Sequence, residues 1–303
     1  MSDFFMFSLV PLAVAVVIGM TCALLGNFLV LRRQSLIGDA ISHVALPGIV
    51  ASFILTGMLA SGAMMLGAGV SALVTVVMIE LIRRLGRVEV SAAMGVTFTS
   101  LFALGVLLLE WHDAAGVHLD VEHALYGNLE SLIWFEGTGP YALFDPLALA
   151  ELPPQLARVV LVGGLVVAFV AVFRRHLVLG SFDADFAASV RARPALVDLL
   201  LVSLVAVAAI AAFEAVGSII VIAMFICPAA AARLMTDRLG AQIAWSQGFA
   251  VVASVLGYVL AGYGPGWLGF DASLSAAGMI ATVAGLLLLA TCLWGRRRHP
   301  AEA

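Results

Sequence analysis

Asp39 and His43 stand four residues apart in SLIGDAISHVALPG, Ser35 to Gly48, at the mouth of a long apolar run. Residues at i and i+4 share one face of a helix, with Cβ atoms about 5–6 Å apart. A carboxylate oxygen and an imidazole nitrogen at that spacing suit Mn²⁺, Fe²⁺ or Zn²⁺. An ionised Asp inside a bilayer costs roughly 2.5–3.5 kcal/mol on insertion scales, and a bound divalent cation offsets that cost. Pro47 adds a backbone oxygen. In a continuing helix it has no N–H for the carbonyl four residues back, that of His43. Gly38 and Gly48 let backbones approach closely. Two side chains are too few for a tight closed site, so the remaining ligands must come from another helix, water or a second copy of the chain. The competing reading is structural: an Asp that caps a helix and a His hydrogen-bonded inside a bundle. The D-x-x-x-H spacing alone serves either.

The elements that must position this pair are membrane helices. The chain has 303 residues, 63% hydrophobic and 11% charged, far from the roughly 25% charged of a soluble protein. Apolar stretches long enough to cross a bilayer recur throughout, which predicts an all-α, polytopic transmembrane helical bundle formed by one domain over residues 1–303. Nine candidate spans follow, at about 8–31, 40–57, 63–82, 90–109, 157–173, 196–213, 215–232, 243–262 and 273–294. The spans at 157–173 and 196–213 are short, so the count is eight or nine. The run from Val44 to Ile79 carries no charge and holds two helices joined near Gly57 to Gly62. The opening MSDFFMFSLV has no basic leader, and the first apolar run reads as a retained span.

Arginine sets the orientation. Arg32 and Arg33 follow the first span, Arg83, Arg84 and Arg87 the third, Arg174 and Arg175 the fifth; Arg191 and Arg193 lie in that same connection, Arg233 and Arg238 follow the seventh span, and Arg296 to Arg298 the ninth. Every second connection is basic, which places it in the cytoplasm, the N-terminus outside and the C-terminus inside. The outer loop, about 110–156, carries eight acidic residues between Glu110 and Glu151 and no Lys or Arg there. Such a vestibule concentrates cations, or simply obeys the same asymmetry. Its stretch LIWFEGTGPYALFDP reads as interfacial or capping. With Gln34 at the inner surface, His43 lies nine residues deeper, roughly 13 Å along a helix, against about 15 Å for half the hydrocarbon core. His43 then approaches the midplane, with Asp39 one turn nearer the cytoplasm.

The chain contains no lysine. That excludes a P-loop, whose Lys reaches the phosphates, so any use of ATP needs another chain. Cys22, Cys227 and Cys292 are scattered, with no metal-site or redox spacing. Nothing points to nucleic acid. Glu214 at an outer junction, and His112, His118 and His123 in the acidic loop, are weaker candidates for contact with a cation. Pro228 leaves the carbonyl of Met224 without a helical donor, as a kink or as static packing.

The stretch VLRRQSLIGDAISHVALPGI resembles the most characteristic segment of the membrane permease subunits of bacterial manganese/zinc/iron ABC importers. VHLDVEHALYGNLE resembles their outer-loop segment, LGSFDADFAASV their cytoplasmic coupling segment, and FEAVGSIIVIAMFICPAAAARLMTDRL their late-span signature, in order along nearly the whole chain. The resemblance implies a bundle of the type II importer kind in the bacterial cytoplasmic membrane. It implies two permease copies, two copies of a separate cytoplasmic ATPase and an extracytoplasmic metal-binding protein, with no permanently bound cofactor and no enzymatic activity on this chain. The family's transmembrane metal site falls on Asp39 and His43. The coupling segment falls within about 176–195, where Ser181 is a plausible N-cap and Asp183 and Asp185 favour a helix start. Phe182 and Phe186 form an i, i+4 pair suited to a groove on a partner, or to an ordinary amphipathic helix. Arg191 stands where the family usually has a Gly. Asp/His ligation suits all three metals, with the segments leaning towards manganese or iron. A secondary metal/proton transporter with Asp39 as proton carrier is the competing class; such folds often show inverted repeats, and no clear internal repeat is present.

Overall fold

The structure is a computed structural model and describes residues 2–57, 61–111, 129–137, 139–182, 194–267, 269 and 274–295. Every regular element among them is helical: α1 (Ser2–Phe7), α2 (Leu9–Leu31), α3 (Ile37–Thr56), α4 (Ser61–Gly86), α5 (Val90–Trp111), α6 (Pro146–Ala150), α7 (Pro154–Phe182), α8 (Pro194–Val216), α9 (Ser218–Met235), α10 (Leu239–Trp267) and α11 (Ala276–Gly295), with 3-10 turns at Leu129–Ser131 and Pro140–Phe144. Among the described residues, nine helices are long and apolar enough to cross a membrane: α2 to α5 and α7 to α11. Both short expected spans are present and longer than expected. Pro154 and Pro194 open α7 and α8, at the first helical position, where a missing N–H loses no intrahelical bond.

Charged residues do not end α4, α7 or α9. On α4, Glu80 accepts from Arg83 at 2.8 Å and also pairs with Arg84, and the helix continues to Gly86. Gly57, at φ 64, closes α3 by donating its N–H to the Phe53 carbonyl at 2.8 Å.

The chain forms two compact units. The first comprises Met1–Val30, Glu122–Ala168 and Ala211–Ala303. Within it α9, α10 and α11 pack on one another. Gly26 of α2 lies so close to the Phe225 carbonyl of α9 that a Cβ would collide with it. The aromatic stretch after residue 129 forms no span. Trp134 is wholly buried; its Nε1 donates to the Ala148 carbonyl at 2.8 Å and its backbone N–H to Met6 at 3.0 Å. Glu130 accepts from the Ala276 N–H at 2.9 Å, at the start of α11. Phe135, Tyr141 and Phe144 are exposed, as suits rings at a membrane surface.

The second unit comprises Leu31–Val121 and Phe169–Ile210. Here α3 packs against both α4 and α5. The α3–α4 crossing is built from small residues. A Cβ on Gly48 would run into the Gly67 carbonyl, and one on Gly67 into that of Gly48. Ser71 Oγ donates to the Val44 carbonyl and Ser52 Oγ to that of Ala63, each at 2.7 Å. On the other side Gly105 of α5 makes room for Pro47, whose Cα, Cβ and Cδ would stand 2.9 Å from a Cβ there. Close backbone approach through Gly and Ser is the usual way helices associate in lipid.

Candidate metal site

Asp39 lies in the first turn of α3, not before it: the helix starts at Ile37, three residues earlier than the span edge at 40, and its N-cap is Leu36, with no side-chain cap bond. Asp39 therefore does not serve as the cap. The positive end of the helix dipole still favours a carboxylate there. Asp39 Oδ1 lies 3.5 Å from His43 Nε2, with 32% of the Asp and 40% of the His side chain exposed. Both groups are thus reachable, and they face each other. Donors bonded to one ion at about 2.1 Å and at the tetrahedral angle stand roughly 3.4 Å apart, so the pair is spaced to share an ion.

The His43 ring is oriented from α5. It stacks on Phe98 at a centroid distance of 5.5 Å and an interplanar angle of 22°, and meets Phe102 edge-on at 5.7 Å and 77°. Two aromatic walls hold the imidazole while its Nε2 faces Asp39. The nearby hydroxyl of Ser42 donates to the Gly38 carbonyl at 2.9 Å. Among the described residues, no group of three or more His, Cys, Asp or Glu side chains gathers to hold a metal, so the chain offers this pair rather than a closed cage.

Glu214 is engaged elsewhere. Both of its carboxylate oxygens accept from Arg158 Nη1, at 2.6 and 2.7 Å, within the first unit. Arg158 is the one arginine outside the alternating basic pattern, and its partner neutralises it. His112, His118, His123, Asp183, Asp185 and Phe186 lie outside the described residues. The cysteines are unpaired, and Pro228 is buried inside α9.

Sequence reasoning missed Arg32, which it used only as a topological marker. Its side chain is 6% exposed and pairs with Asp198. Burial pulls the guanidinium below its ordinary value, and the Asp198 carboxylate pulls it back up. No spacing rule joins two residues 166 positions apart.

The ABC 3 transport family model matches residues 4–133 and 148–295. The chain is 35% identical over 281 residues to the manganese transport system membrane protein MntD of Bacillus subtilis (strain 168), covering 91% of this chain and 88% of that one. It is 35% identical over 274 residues to the zinc transport system membrane protein TroD of Treponema pallidum (strain Nichols), covering 90% of this chain and 70% of that one. Among solved structures, PsaBC from Streptococcus pneumoniae in complex with Fab matches with a TM-score of 0.68 at 29% identity, covering 93% of this chain and 89% of that one.

Proposed function

The chain belongs to the ABC 3 transport family, a multi-pass membrane permease family, and on that premise we propose that it is the transmembrane subunit of an ATP-driven importer for a divalent transition metal. One observation carries the reading: a carboxylate and an imidazole face each other at 3.5 Å on a candidate membrane helix. The relatives named for manganese and zinc transport support those two cargoes; donor chemistry alone keeps Fe²⁺ beside them.

In this reading the whole chain acts as one permease domain, with basic connections and C-terminus in the cytoplasm and N-terminus outside. Asp39 supplies charge, and His43, held by Phe98 and Phe102, supplies a nitrogen of fixed direction. A second copy of the chain brings a second pair, and four donors complete a tetrahedral shell. Loading needs a deprotonated carboxylate and a neutral imidazole. The chain lacks a lysine for a P-loop, so ATP is hydrolysed on a separate chain, which docks on the connection containing residues 183–193. An extracytoplasmic binding protein delivers the metal.

Reconstitution with the ATPase in proteoliposomes tests this directly. ATP-dependent accumulation of ⁵⁴Mn²⁺ or ⁶⁵Zn²⁺ is expected, and competition between them orders the cargoes. Uptake that ignores ATP and collapses with a proton uncoupler would instead establish a secondary transporter.

A further inference from the structure

Arg32 follows α2, and only a short turn separates it from α3. In that turn Arg33 holds a left-handed φ of 56, and the Ile37 N–H bonds to the Gln34 carbonyl at 3.1 Å. The Arg32 guanidinium turns towards α7 and α8, all within the second unit. Its Nε donates to Ser181 Oγ at 3.0 Å, its Nη2 to the Leu177 carbonyl at 3.4 Å, and its Nη1 pairs with Asp198. Ser181 Oγ in turn donates to the Leu177 carbonyl at 2.6 Å. Gly180 keeps the space open, since a Cβ there would stand 3.3 Å from Nη2.

Leu177 and Ser181 belong to the end of α7, and Asp198 to the beginning of α8. One side chain therefore grips both flanks of the connection 183–193, and its backbone leads directly into the turn that carries Asp39. A buried guanidinium cannot be left without partners, because an unpaired buried charge is strongly unfavourable. Its planar fork also tolerates little change in the relative placement of the groups it binds. The two flanks and the start of α3 are thus constrained to move together.

We propose that Arg32 is a positioning residue that couples the end of α7 and the start of α8 to the metal-holding turn of α3. The proposal rests on the importer reading above: a displacement imposed on the flanks by the ATPase is passed through the guanidinium to Asp39 and His43. Asp198 is its ionic anchor, and Ser181 sets the register of the fork.

The test uses the full complex in proteoliposomes, with Mn²⁺ uptake and ATP hydrolysis measured on the same vesicles and Mn²⁺ affinity on the purified complex. Arg32→Ala, Arg32→Lys and Asp198→Asn are expected to lower the metal carried per ATP by about tenfold, within the usual range of coupling energies. Assembly is expected to persist, with Mn²⁺ affinity changed by less than about threefold. The exchange Arg32→Asp with Asp198→Arg is expected to recover part of the ratio. Arg32→Lys and Asp198→Asn keep the test open should Arg32→Ala fail to fold. An unchanged ratio in these variants overturns the proposal. So does a proportional fall of assembly, hydrolysis and uptake, the mark of a merely structural role. Wild-type vesicles that take up no metal with ATP overturn the importer reading itself, and the role of Arg32 with it.

Discussion

Replacing Gly48 with alanine adds one methyl group at the tightest point of the α3–α4 crossing. That Cβ would stand 2.7 Å from both the Gly67 carbonyl carbon and Ser71 Cβ, and nearer still to the Gly67 oxygen, whereas real Cβ atoms essentially never come within 3.0 Å. The obstacle is backbone, so α3 and α4 must separate. Overpacking of this kind costs about 1–3 kcal/mol. Separation also stretches the hydrogen bonds Ser71 to Val44 and Ser52 to Ala63, worth on average about 0.6 kcal/mol each in a membrane protein. The expected loss is therefore roughly 2–4 kcal/mol, read as equilibrium unfolding in bicelles. Gly69 is the control. Nothing lies within 4 Å of a Cβ there, and alanine at that site should be neutral or gain up to about 1 kcal/mol of helix propensity. Equal stability of Gly48→Ala and Gly69→Ala would refute the close crossing.

Other parts of the structure make similarly direct predictions. Glu214→Ala removes the carboxylate paired with the 41% exposed Arg158 side chain and should destabilise the protein by no more than about 1 kcal/mol, leaving the KM for metal unchanged; a raised KM would return Glu214 to the metal path. Trp134→Ala should cost about 3–5 kcal/mol through its cavity and Trp134→Phe much less, read as thermal melting in detergent; equal melting of both variants would contradict the buried anchor. Phe98→Ala frees one wall of the His43 ring and should weaken Mn²⁺ binding by about 10-fold, as loss of a supporting group around a ligand commonly does, seen by equilibrium binding. Unchanged affinity there would show that the stack does not orient the ligand.

The sequence made the membrane spans legible because bilayer crossing demands length and apolarity, which are local properties. It was less informative about their ends. Arg174 and Arg175 looked like a boundary, yet α7 runs on to Phe182, since long basic side chains reach the interface from within a helix. Likewise α4 passes through Arg83 and Arg84, where Glu80 supplies their partner. The Asp39 and His43 pair was readable because i, i+4 spacing is itself a contact. What surrounds it was not. Phe98 and Phe102 reach His43 from another helix, and the Gly48–Gly67 approach depends on a register that no single helix encodes. The pairs Arg158–Glu214 and Arg32–Asp198 join residues 56 and 166 positions apart, so only the fold reveals them.

If Asp39 and His43 hold the transported ion, uptake by the assembled complex must depend on both. Asp39→Ala and His43→Ala should each reduce ATP-driven ⁵⁴Mn²⁺ or ⁶⁵Zn²⁺ accumulation by more than about tenfold, while the complex assembles and still hydrolyses ATP. Wild-type accumulation in both variants would contradict the assignment and leave the pair as packing alone.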